Sequence, residues 1–343
     1  MYWHGGMEKQ PELFDYQRRM EILSAKRDPL ERLNAIDWEI FRPILGQVRR
    51  KEPGSAGRNP FDEVVKFKIL ILQRLYDLSD EQAEFQINDR LSFMRFLGLD
   101  FHDKVPDEST IRFFREQLVG LKLMRPIFRK FLRHLKDLGL IFRKGSLIDA
   151  SIVEVPRQRN SREENRIVKD GGIPPEWPEN QARMAQKDVD ARWTKKNGVS
   201  YFGYKNHVRV DRKGKFVTEY TVTSASVHDS RAARAVLEGH SGEDGPVHGD
   251  SAYDTPEIRS LLERRGVRHR FCQKGYRNKP LSEKQKRRNH GISIVRARVE
   301  HVFGDIEKFG GDFIRTIGMA RAEFQMGLTN LVYNMRRFVF VYG

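Results

Sequence analysis

Apolar residues recur every three to four positions through most of the first 140 residues, and the pattern changes after Gly145. Over 61–78, Val64, Val65, Ile69, Leu72 and Leu75 keep close to the helical period, which predicts an amphipathic helix. Ser79 and Gln82 have the spacing of a capping box. A second helix is expected to start there, run through Phe85, Leu91, Phe93 and Phe96, and stop at Gly98. Asp107-Glu108-Ser109-Thr110 opens a helix over 111–118, and 121–138 reads as another, ending at Gly139. Short helices joined by tight turns fit a helix-turn-helix DNA reader and a plain helical bundle equally well.

From Gly145 onward the signals are those of strands. Residues 145–155 are apolar and β-branched and read as a buried strand. Residues 156–199 are polar, poor in aliphatics and broken at Pro174-Pro175, and read as an insertion or long loop. Strands over 201–210 and 216–224 follow, joined across Asp211-Arg212-Lys213-Gly214 by a turn short enough for a hairpin. A short helix covers 230–237, and 246–249 leads into a strand end at Asp250. Thr255-Pro256-Glu257 opens a helix ending at Gly266, 267–271 is a last short strand, and helices over 294–309 and 320–338 close the chain. The expected fold is α/β, a mixed sheet flanked by helices and preceded by an all-helical N-terminal domain. The boundaries fall at 1–140 and 145–343, with the insertion at 156–199.

Composition narrows the class. Apolar residues make up 38% of the 343, enough for a buried core and too many for a disordered chain. The longest apolar runs, such as Ile69-Leu70-Ile71-Leu72, fall far short of the ~20 residues of a membrane span. Residues 1–6 lack the basic and apolar regions of a secretory signal, so a soluble cytoplasmic protein is expected. The single cysteine, Cys272, excludes an internal disulfide and a zinc site built on paired thiolates.

Charge changes the picture most. The chain carries 63 Lys and Arg against 47 Asp and Glu, a net +16. Most of that excess lies between Arg264 and Arg298, where Glu283 is the only acidic residue; the stretch includes Lys274, Arg277, Lys279, Lys284, Lys286, Arg287, Arg288, Arg296 and Arg298. A local excess of this size points to a polyanion, because each phosphate neutralised releases condensed counterions.

A polyanion binder directs attention to acidic residues in unusual places. Asp149 lies mid-strand and shares a face with Leu147, Ser151 and Val153, so it needs a cation or strong donors; a metal ion and a salt bridge to an arginine both satisfy it. Asp250 ends a strand, where ligands of open αβ sheets collect, although a turn-forming aspartate has the same look. Asp254 and Asp229 read as helix caps, and His228 as a polar turn residue. Glu300 borders the apolar stripe Val295, Val299, Val302, Phe303 and Ile306, close in helical angle to Arg296 and Glu307. From that border it can point at a sheet edge, or form a surface pair with Arg296. Three such carboxylates brought together without metal would repel and raise one another's pKa. Mg²⁺ or Mn²⁺, hard cations that prefer oxygen, relieve this, and two ions ~3.5–4 Å apart serve in-line phosphodiester displacement.

These residues belong to a wider set of motifs. Asp28-Pro29-Leu30, Ile36-Asp37-Trp38 and Val105-Pro106-Asp107-Glu108-Ser109-Thr110 stand in the helical part. Leu147-Ile148-Asp149-Ala150-Ser151, Asp188-Val189-Asp190-Ala191-Arg192 and Phe202-Gly203-Tyr204-Lys205-Asn206-His207 follow in order. Gly249-Asp250-Ser251-Ala252-Tyr253 and Arg296-Ala297-Arg298-Val299-Glu300-His301-Val302-Phe303-Gly304 complete the series. Over nearly its whole length the chain resembles the DDE transposases of bacterial insertion sequences, in particular the insertion-sequence-five group. The resemblance implies an RNase-H-like catalytic domain with Asp149, Asp250 and Glu300 as catalytic metal ligands. It implies two Mg²⁺ or Mn²⁺ ions, cleavage of double-stranded DNA at terminal inverted repeats, and 3′-hydroxyl attack on target DNA. A homodimer in the synaptic complex, a nucleoid-associated location and a phosphate contact by Arg296 are implied as well. The family's helix motif carries a tyrosine three residues before that arginine and a lysine seven after the glutamate; here Ser293 and Glu307 stand there, with Lys308 adjacent to Glu307. Two rival readings of the same residues are a nuclease without strand transfer and a catalytically retired DNA-binding regulator.

Overall fold

The computed structural model describes residues 14–26, 28–48 and 60–342; the opening residues 1–6 lie outside these. The helical part comprises α1 (Asp15–Ala25), α2 (Arg42–Leu45), α3 (Glu63–Tyr76), α4 (Asp80–Asp89), α5 (Leu91–Leu97), α6 (Glu108–Gly120) and α7 (Met124–Asp137). The Ser79/Gln82 capping box forms as expected, but the single helix predicted after it is two. Arg90 adopts an extended conformation between α4 and α5, and Phe85 is 69% exposed, so it does not belong to the core face. The apolar positions on either side of Arg90 therefore follow two helix axes. Gly98, at φ 76°, ends α5 as a left-handed stop that glycine adopts without strain.

The second part follows as β1 (Ser146–Glu154), α8 (Arg162–Lys169), α9 (Gln181–Met184), β2 (Arg192–Lys196), β3 (Val199–Asp211), β4 (Val217–Ser224) and α10 (Asp229–Val236). It ends with β5 (Val247–Gly249), α11 (Pro256–Arg264), β6 (His269–Phe271), α12 (Glu283–Glu307) and α13 (Met319–Tyr342). β3 pairs antiparallel with β1, β2 and β4; β1 then pairs parallel with β5, and β5 with β6. An antiparallel meander continued by parallel strands with helices on both faces is the RNase-H-like arrangement.

The insertion is not structureless. It forms α8, α9 and β2, the last an edge strand added to β3, and it buries Trp177, whose indole donates to Glu164 at 2.7 Å. One large aromatic anchors a segment that is poor in aliphatics. Where β3 crosses from β2 to β1, Gly203 is required: a Cβ there would stand 2.2 Å from the Val153 carbonyl oxygen.

Strand β1 lies between two apolar clusters. Leu147 and Val153 join a large core that runs from Leu30 through the N-terminal helices to Val339 of α13, while Ile148 packs with Ala233, Val236 and Leu262 on the other face. The core is thus continuous across the 140–145 boundary. Helix α13 is tied to the sheet: its Asn330 exchanges amide hydrogen bonds with Asn206 of β3, and its Asn334 bonds the Val217 backbone of β4.

Candidate active site

The parallel pairing of β1 with β5 sets Ser146 opposite Val247 and Leu147 opposite His248. Continued by two residues, that register brings Asp149 abreast of Asp250 on neighbouring strands, with both side chains on one face. A carboxylate in the middle of a buried strand and another just past the end of its neighbour therefore meet through sheet geometry alone. Asp250 also accepts from the Ser251 amide at 2.6 Å, and Asp149 from the Ala150 amide at 2.9 Å.

Helix α12 covers this face with Val299, Val302 and Ile306 buried beneath it. Its Arg296 reaches both acids: Nη2 lies 3.2 Å from Asp149 Oδ2, and Nη1 lies 3.5 Å from Asp250 Oδ1. Burial raises the pKa of Asp149 above its ordinary value even though the Arg296 charge opposes it. For Arg296 burial works against the charged form, yet Asp149 and Asp250 hold its pKa above the usual guanidinium value. Its Nε is buried without a hydrogen-bond partner among the described residues.

Glu300 stands one turn further along α12, about 6 Å up the axis, and is exposed. Among the described residues the Glu300 side chain forms no hydrogen bond or ion pair, and no three Asp, Glu, His or Cys side chains stand close enough to hold an ion. The structure thus joins two of the three acids and leaves the third on the same helix as the arginine between them. The two joined acids offer only oxygen donors, and a cation already bridges them, which is the donor chemistry a hard divalent metal prefers.

Neighbouring groups differ from the sequence reading. His228, not Asp229, caps α10, accepting the Ser230 amide at Nδ1; Asp229 is the first helical residue and pairs with Lys205 at 2.8 Å. Asp254 does not cap α11. Thr255 does, and Asp254 binds Arg259 at 2.7 Å, because the proline at the first helical position puts the cap immediately before it. Tyr253, unremarked as a functional residue in the sequence, is buried beside the acids; burial and then the charges of Asp149 and Asp229 raise its phenol well above the usual range.

The basic stretch is more ordered than expected. Helix α12 begins at Glu283, eleven residues before the predicted start, because Ser282 and Gln285 form a capping box. Lys284, Lys286, Arg287 and Arg288 are therefore exposed on its first turns, while Lys274, Arg277 and Lys279 are exposed on the preceding loop. Arg298 is also exposed and donates to the Arg212 carbonyl at 3.0 Å. Between β6 and α12 a groove of about 610 Å³ is lined by His248, Arg268, Arg270, Arg287 and Arg288 and by no acidic residue.

The sheet order is RNase-H-like, and two acids meet on one of its faces. Residues 141–335 match the family model described as Transposase DDE domain, and residues 17–117 match the one described as Transposase domain (DUF772). The chain belongs to the DDE transposase family and is an enzyme that cuts DNA and transfers its strands, in a family that depends on metal. A solved structure of the piggyBac transposase synaptic complex with hairpin DNA is similar at 12% identity over 88% of this chain and 73% of that one, with a TM-score of 0.47. No helix among the described residues is long and apolar enough to cross a membrane.

Proposed function

We propose that Asp149, Asp250 and Glu300 are the catalytic carboxylates of a transposase of the insertion-sequence-five group, and that they hold two Mg²⁺ or Mn²⁺ ions. The observation that carries this reading is the β1–β5 register, which brings Asp149 and Asp250 onto one cation. Bound there, the metal would supply charge neutralisation at the scissile phosphate and activation of the attacking hydroxyl. The chain's own part is to fix the two aspartates on neighbouring strands, to hold Asp149 partly buried at the sheet face, and to bring Glu300 in from the helix that crosses the same face. The exposed cations of 274–288 and Arg298 lie along DNA phosphates, which sets position but not sequence. The helices of residues 1–140 read the terminal inverted repeats, residues 145–343 cut and join, and two copies act together when two ends are synapsed.

The test is cleavage of a terminal-repeat duplex in Mg²⁺ by Asp149→Asn, Asp250→Asn and Glu300→Gln. Each is expected to bind DNA as the wild type does and to lose cleavage by at least a hundredfold. Near wild-type cutting by any variant removes that residue from the site. Pre-cleaved ends mixed with a target plasmid give joined products if strands are transferred; their absence marks a nuclease only.

A further inference from the structure

We propose that Arg296 is a resident counter-ion that keeps divalent metal out of the DNA-free enzyme and gives up the acidic pair when DNA phosphate docks. The inference rests on reading Asp149 and Asp250 as metal ligands and asks what occupies them before substrate arrives.

Three observations carry it. First, the guanidinium does not grip a single carboxylate with both nitrogens, its most favourable geometry; it spends one nitrogen on each aspartate, at 3.2 and 3.5 Å. That is the position of a cation shared by the pair. A Mg²⁺ ion needs these oxygens at ~2.0–2.1 Å, so ion and guanidinium exclude one another. Second, Nε is buried with no acceptor among the described residues, so the arrangement leaves this buried donor unused. A phosphate, which accepts from Arg bidentately, offers a better partner than the two separated acids. Third, Arg296 shares α12 with the exposed Lys284, Lys286, Arg287 and Arg288, about two turns or more toward the N-terminus. DNA drawn to that end of the helix brings phosphate to the arginine.

In the free chain the one guanidinium offsets part of the charge of the two aspartates; with DNA bound it offsets phosphate, and the aspartates are released to metal. Metal affinity and DNA affinity are then coupled, and the coupling is reciprocal. The nuclease chemistry is withheld until a strand is in place.

The test is calorimetric titration of Mn²⁺ into the DNA-free full chain. Arg296→Gln is expected to bind Mn²⁺ at least tenfold more tightly than wild type. Arg296→Lys, whose single nitrogen cannot span both acids, falls between. Uncleavable terminal-repeat DNA tightens Mn²⁺ binding to the wild type by at least tenfold and to Arg296→Gln by less. Melting curves identify a variant that fails to fold, in which case the lysine variant decides. Equal Mn²⁺ affinity of wild type and a folded variant without DNA overturns the proposal. If Asp149→Asn still cleaves, the site assignment itself has failed; if it is dead while the affinities are equal, only the role of Arg296 has.

Discussion

Asn334 gives the sharpest stability prediction. Among the described residues β4 is an edge strand, paired only with β3, and the backbone groups of Val217 that face away from β3 find no strand. Asn334 of α13 stands in for one: its Oδ1 accepts the Val217 N–H and its Nδ2 donates to the Val217 carbonyl, both at 2.8 Å. Asn334 is 1% exposed and Val217 is fully buried, so water cannot take over either bond. In Asn334→Ala two buried backbone groups lose their partner, at about 1–3 kcal/mol each, and the expected loss is about 4 kcal/mol. Against a total of about 5–15 kcal/mol for an ordinary domain, that is a large share. Tyr333→Phe on the same helix removes one bond, to the half-buried Lys215 carbonyl at 2.7 Å, and is expected to cost about 1 kcal/mol. Urea unfolding followed by tryptophan fluorescence measures both. A cost below 1 kcal/mol for Asn334→Ala, with an unchanged denaturant slope, would refute the claim that this side chain completes the sheet edge.

Two further outcomes follow from charge. The triple change Lys284→Ala, Lys286→Ala and Arg287→Ala should leave melting nearly unchanged and lower the slope of log K for DNA against log salt by up to about 2.7, at ~0.9 per phosphate contact; an unchanged slope excludes these residues from the DNA path. His207 and His248 are held neutral by burial, with pKa values down to about 4, against 6.5 in the unfolded chain. Below pH 6.5 the unfolded state takes up protons that the folded state refuses, so stability falls from pH 6.5 toward 4, by up to about 3 kcal/mol per histidine. Burial raises Asp149 and Asp211, which act in the opposite sense over the acid range. The histidine share is therefore read as the flattening of the melting-temperature slope between pH 7 and 5 in His207→Gln and His248→Gln; a slope equal to wild type in both rejects it.

Much of the fold was legible because its strands are strongly patterned. The strand containing Asp149, the hairpin across 211–214 and the stops at Gly98 and Gly139 stand where residue chemistry puts them. What sequence pattern missed has identifiable causes. The first half of α12 is so basic that no apolar stripe marks it, and only the Ser282/Gln285 spacing gives it away. Strand β2 belongs to the sheet through its backbone pairing with β3 and not through apolar alternation, so 192–196 reads as loop. The break at Arg90 separates two helices whose apolar positions can be strung on one period.

At the site, Asp149 stood out as a charge inside a strand, and both of its possible partners, metal and arginine, bear on the outcome. The arginine was visible four residues before Glu300, but that it spans two strands depends on parallel pairing between residues a hundred positions apart, which no local window contains. The caps at His228 and Thr255 were misplaced by one residue for a similar reason: adjacent residues compete for one role, and helix geometry selects between them.

The most direct measurement is a crystal structure of the chain with terminal-repeat DNA and Mn²⁺, with the ions located by anomalous scattering. The account predicts two manganese peaks on the face shared by β1 and β5, with Asp149 and Asp250 as common ligands, Glu300 turned in from α12, and Arg296 on a phosphate. Manganese bound elsewhere, or a fully ligated pair of ions with Glu300 still facing solvent, would contradict it.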